Sequence, residues 1–126
     1  MLVFGHQWIP SSKFIRVATK SDIEATTPLD IVLLDSLEDS HELALYLKEQ
    51  HISYALDIKT IHEAIVAHNL GATYVICNPS NALEIQAIAQ EYLWTMRVLV
   101  LINDEAEIES WAKKGIDGVV FHSAIL

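Results

Sequence analysis

Glycine, proline and cysteine are scarce in this sequence: four, three and one among 126 residues. So few glycines leave little backbone able to approach a phosphate closely, and there is neither a Gly-rich phosphate loop nor a Gly-x-Ser-x-Gly elbow. No interior stretch of proline and glycine divides the chain, so residues 1–126 read as one domain. Cys77 has no second cysteine to bond, which excludes an internal disulfide and fits a reducing, cytoplasmic setting. Its neighbours Val75 and Ile76 mark it as a buried, inert thiol rather than a nucleophile. Basic residues are also few, 8 against 17 acidic, and they are scattered from Lys13 to Lys114. Binding nucleic acid or an anionic membrane needs a basic stripe that neutralises phosphates, so neither is expected as a partner. No run reaches the roughly 18 apolar residues of a membrane span. His6, Trp8 and Pro10 stand where a secretory signal would carry a basic and then an apolar stretch. Cysteine and histidine form no cluster, and His62 and His68 lack the i, i+4 spacing of a helical zinc pair, so no metal or cofactor is expected.

What the sequence does have is apolar residues, 52% of the total, arranged in a repeat. Residues 14–36, 52–80 and 97–124 each read as a short apolar strand, a polar step, a short helix, a turn and a second strand. Ile31–Leu34, Tyr74–Cys77 and Val98–Ile102 are near-continuous aliphatic or β-branched runs, as strands covered on both faces require. Ile61, Ala64, Ile65 and His68 recur at helical spacing and Gly71 stops that helix; Gly115 does the same after Ile108, Trp111 and Ala112. Ser21 or Asp22 is placed to cap the first-repeat helix, and Asp104 the third. Longer helices are predicted at 39–50, capped by Asp39 or Ser40, and at 80–94, capped by Ser80 or Asn81. The second of these would turn Leu83, Ile85, Ile88, Ala89 and Tyr92 inward. The alternation implies an α/β fold with parallel pairing: an incomplete TIM-type (β/α) barrel, or a parallel sheet of about six strands with five helices. Leu2, Val3 and Phe4 read either as a further edge strand or as an arm on the body.

From Ile52 to Ala124 the chain resembles the middle of the KDPG/KHG aldolases, (β/α)-barrel lyases that cleave 2-keto-3-deoxy sugar acids. The likeness rests on Leu70-Gly71-Ala72-Thr73, on Ala106-Glu107-Ile108, and on Gly115-Ile116-Asp117 before the next strand. It extends upstream through residues 30–50. The resemblance implies a barrel, but the family's Schiff-base lysine falls at about Val120, its proton-moving glutamate near Leu33 and its carboxylate-binding arginine near Leu37. A Schiff base needs an amine and proton transfer needs a carboxyl within reach, so lyase activity is not expected. The sequence also ends at Leu126, ahead of the strands whose amides hold phosphate in that family. More weakly, Asp30–Asp35 with Asn78-Pro79 resembles the phosphoacceptor strand and terminal Lys-Pro of receiver domains of flavodoxin type, with Asp35 as acceptor. Asn78 replaces the lysine, and Val17-Ala18-Thr19 the acidic pair.

In parallel α/β folds ligands bind beyond the carboxyl ends of the strands. Asp35, Asp57 and Lys59 are the candidate catalytic residues there, and Thr19, Asn78, Ser80, Asn103 and His122 the candidate ligand-binding ones. Thr19, Ser80 and Asp104 read equally as helix caps, Asp57 as a partner of Lys59, and His122 as a solvated histidine. Two functions fit: a protein-interaction or regulatory module without lyase activity, or a small-molecule-binding enzyme of the lyase class, a carbon-carbon lyase acting on a 2-keto acid or sugar phosphate. Bare edge strands, with Leu2, Val3, Phe4 and Trp8 and the apolar ending Ala124-Ile125-Leu126 as contact surface, further suggest a homodimer.

Overall fold

In the computed structural model, which describes residues 1–126, strands and helices alternate from residue 14 onward. They are β1 (Leu2–Phe4), β2 (Phe14–Arg16), α1 (Lys20–Glu24), β3 (Ile31–Leu34), α2 (Leu37–Glu49), β4 (Tyr54–Asp57) and α3 (Ile61–Leu70). There follow β5 (Tyr74–Cys77), α4 (Ala82–Glu91), β6 (Arg97–Ile102), α5 (Ala106–Lys114), β7 (Gly118–Phe121) and a short 3₁₀ turn, His122–Ala124. All seven strands pair in parallel in one sheet, in the order β1-β7-β6-β5-β4-β3-β2. The expected six strands become seven because Leu2–Phe4 pairs with Gly118–Val120 instead of lying on the body as an arm. A receiver of flavodoxin type would order its strands 2-1-3-4-5; here β2 to β7 lie side by side in chain order.

The sheet is curled into an incomplete barrel. Although β1 and β2 stand at opposite ends of the strand order, the Phe4 and Phe14 rings meet edge to face at 5.0 Å. Residues of the chain's end lie along β2: the Leu126 N–H donates to the Phe14 carbonyl (2.8 Å) and the Arg16 N–H to the Leu126 carbonyl (3.1 Å). Strand alternation sorts the apolar residues into two layers. Phe4, Phe14, Leu33, Ala55, Ile76, Leu99 and Val120, one from each strand, fill the inside of the curl together with Ile31 and Ala124. Val32, Leu34, Leu56, Val75, Val98, Val100 and Val119 face outward onto the helices. Both faces are thus buried, as the near-continuous apolar runs require. At the β2 edge the last two residues bond along the strand, whereas β1, at the other edge, pairs only with β7.

The helix ends follow local chemistry. Thr60 caps α3 by accepting from the Glu63 N–H (3.1 Å), and Gly71 (φ 93°) ends it in the left-handed conformation; Gly115 (φ 81°) ends α5 in the same way. Thr19 rather than Ser21 or Asp22 caps α1, with Asp22 returning the bond as the third residue of a capping box. Two boundaries differ from expectation. Helix α2 begins at Leu37, after Ser36, which places Ser40 buried inside the helix instead of at its cap. Helix α4 begins at Ala82, after Asn81, and no side chain of Ser80 or Asn81 caps it. Its buried face is Ala82, Ile85, Gln86 and Ala89, leaving Leu83 and Tyr92 exposed. Gln86 takes the inward place because its Oε1 accepts the Asp117 N–H at 2.8 Å, satisfying a backbone donor beside β7. No helix is long and apolar enough to cross a membrane.

Candidate functional site

The carboxyl ends of β3 and β4 hold the densest group of polar side chains predicted from sequence. Leu34 pairs with Leu56, so Asp35 and Asp57 stand abreast one residue beyond that pair. Beside them, between the start of α2 and α3, opens a cleft of about 570 Å³. Asp35, Asp57 and Lys59 all line it, with Ser36, Glu38 and His41 from the α2 side and His62, Glu63 and Val66 from α3.

Each charged group is held by identifiable contacts. Arg16, at the end of β2, forms an ion pair with Asp35; both are well exposed, so the pair is worth at most about 1 kcal/mol and serves to orient the two groups. Asp57 is half-buried. Burial lifts its carboxyl above the ordinary carboxylate value, Arg16 and Lys59 pull it back down, and Glu63 raises it again. Lys59 makes no ion pair with Asp57, contrary to the simpler sequence reading. Its ammonium is left exposed while its backbone N–H donates to Glu63 Oε2 (3.2 Å) and its carbonyl accepts from Asn81 Nδ2 (2.8 Å). The second bond ties the start of α4 to the loop that carries Lys59. His41 Nδ1 lies 3.0 Å from the Glu38 carbonyl.

The remaining candidates lie outside this cleft. Thr19 is engaged in its helix cap. Asn78 and Ser80 are exposed in the loop before α4, and His122 is exposed at the start of the 3₁₀ turn. Asn103 donates its N–H to Glu107 Oε2 (2.9 Å), beside Asp104, whose Oδ1 accepts from the Ala106 N–H (3.1 Å). Cys77 is buried, and burial together with the nearby Asp57 pushes its thiol up to about 12. Leu33 and Val120, where the aldolase resemblance would put a glutamate and a lysine, are fully buried in the inner layer. No three His, Cys, Asp or Glu side chains are arranged to hold a metal ion.

Arg16, Glu38, His41, His62 and Glu63 were not singled out as site residues by sequence. For Arg16 the signal was available, since it ends the strand beside β3 as Asp35 ends β3 itself. The helix residues belong to the cleft through the packing of α2 against α3, which no local pattern encodes. Compared with models of known protein families and with curated proteins, the sequence matches none.

Proposed function

We propose that this chain is a small-molecule-binding (β/α)-barrel-like domain without lyase chemistry, taking its ligand in the cleft at the ends of β3 and β4. The observation that carries this reading is the convergence of Asp35, Asp57 and Lys59 on one cleft of about 570 Å³, within the size range of small-ligand sites. A carboxyl raised by burial next to an exposed ammonium is a frequent property of binding and catalytic sites. The buried, apolar Leu33 and Val120 stand where the aldolase resemblance would put the proton-moving glutamate and the Schiff-base lysine, so neither group is present at those places. Acidic side chains (Asp35, Glu38, Asp57 and Glu63) outnumber Lys59 around the cleft, which favours an uncharged polyol or a cationic amine over a keto acid or sugar phosphate. The single buried thiol suits a reducing, cytoplasmic location.

A thermal-shift series with sugars, polyamines, 2-keto acids and sugar phosphates tests this. A ligand present at about a hundred times its dissociation constant stabilises the fold by roughly 2.7 kcal/mol, and the shift disappears in the Asp35→Ala, Lys59→Ala double variant. A hit that survives in that variant places the ligand elsewhere and removes this reading.

A second reading, an interaction module, rests on a different surface. Between α3 and α4, Ile65, His68, Ile88, Tyr92 and Trp94 line a shallow apolar groove, with Tyr92 72% and Leu93 85% exposed. Large exposed apolar groups gathered in one place mark contact surfaces in soluble proteins. If self-association uses this groove, sedimentation velocity at micromolar concentration finds a dimer that Tyr92→Asp dissociates. A monomer throughout sinks the dimer.

A further inference from the structure

Between β1 and β2 the chain makes a strap, residues 5–13, folded on itself by short-range bonds. The Gly5 N–H donates to Ser11 Oγ (3.0 Å), the Ile9 N–H to the His6 carbonyl (3.1 Å), and the Trp8 N–H to His6 Nδ1 (3.1 Å). The His6 side chain is only 10% exposed. Its ring packs edge to face against Trp8 (5.4 Å) and Phe121 (6.1 Å), and its Nε2 lies against a carboxylate oxygen of Glu105, just before α5. Glu105 is the one charged group in contact with the ring. The other residues around it, Gly5, Gln7, Trp8 and Phe121, carry no charge.

These contacts fix the ring's protonation chemistry. An imidazole nitrogen that accepts from an amide N–H carries no proton, so Nδ1 is bare and the neutral ring holds its proton on Nε2, towards Glu105. Adding a second proton has two opposite effects. The ring becomes a cation facing Glu105, which tightens the grip on α5. At the same time Nδ1 turns from acceptor to donor and confronts the Trp8 N–H, so the bond that closes the turn is lost.

We infer that the strap is a pH-operated latch: His6 anchors it to Glu105 in either state, but only the neutral ring holds the Trp8 turn closed. Protonation of the ring frees Trp8, itself already 80% exposed, from the His6 ring while the anchor stays. The latch is independent of the cleft between α2 and α3.

Two-dimensional NMR of the Trp8 backbone amide and the His6 ring tests it between about pH 8 and pH 5. In the unaltered chain the Trp8 amide moves to the position of an unbonded amide, in step with titration of the His6 ring. In His6→Asn, whose Oδ1 accepts but does not titrate, the amide holds one position throughout. Ring titration without amide movement in the unaltered chain overturns the latch, and so does an equal amide response in His6→Asn. The first of these outcomes is read without any variant, so a substitution that fails to fold leaves the test intact.

Discussion

Asp57 is the residue at which stability and function pull in opposite directions. Its carboxyl is raised by burial in the folded chain, so between its unfolded value and the higher folded one the native state binds more protons than the unfolded state. Stability is therefore fullest below the unfolded value and declines as pH rises through the folded one, leaving the ionised Asp57 a net cost at neutral pH. Asp57→Asn removes that cost. It is expected to raise the melting temperature near pH 7, to have little effect below about pH 3.8, and to abolish any ligand-dependent shift. Melting curves across that range decide it; a variant less stable at pH 7 than the original would contradict the sign. Stabilising loss of a polar group is characteristic of functional positions. The polar strand-end residues were legible in the sequence, because an Asp that ends an apolar run has few other roles. What Asp57 meets was not legible, since Arg16 and Glu63 reach it from other elements.

At the scale of elements, glycine and capping residues gave the clearest signals, and helix faces the least clear. Gly71 and Gly115 end their helices as expected because only a left-handed backbone closes those turns. The inward face of α4 was misread because Leu83 and Tyr92 outrank Gln86 in hydrophobicity, whereas the 82-85-86-89 spacing and the Asp117 amide decide which face turns in. The third repeat glycine has a different role. A Cβ at Gly118 would come within 2.7 Å of a Leu99 methyl and within 2.8 and 2.9 Å of the Leu2 Cβ and carbonyl oxygen. Gly118 is what lets β1 lie close against β7. Gly118→Ala is expected to destabilise the fold by about 1–3 kcal/mol, as overpacking does, read as a lowered denaturation midpoint. An unchanged midpoint would mean that β1 shifts freely.

For the whole molecule, the strand–helix repeat specified the parallel class and the sequential neighbours, because short right-handed crossovers leave little choice. How the sheet ends was not specified. Residues 2–4 are too short a run to distinguish strand from arm, and Ile125-Leu126 carries no strand pattern at all. Both are fixed by partners at the far end of the chain, Gly118–Val120 for β1 and Phe14–Arg16 for the final residues. The receiver-like alternative shared the same local elements, and the strand order separates it from the observed fold.

The pairing of β1 with β7 also dictates an order of events. The only strand beside β1 is β7, and Ser123 reaches back to Gly5 across 118 residues of sequence (3.3 Å). β3 to β7 can each join the strand made shortly before, at a small loop-closure cost. β1 has no such neighbour, so it stays unpaired, with Phe4 uncovered, until β7 has been made. Contacts this distant in sequence slow folding and prolong exposure to misassembly, and the same contacts tie β1 to β7 once both are in place.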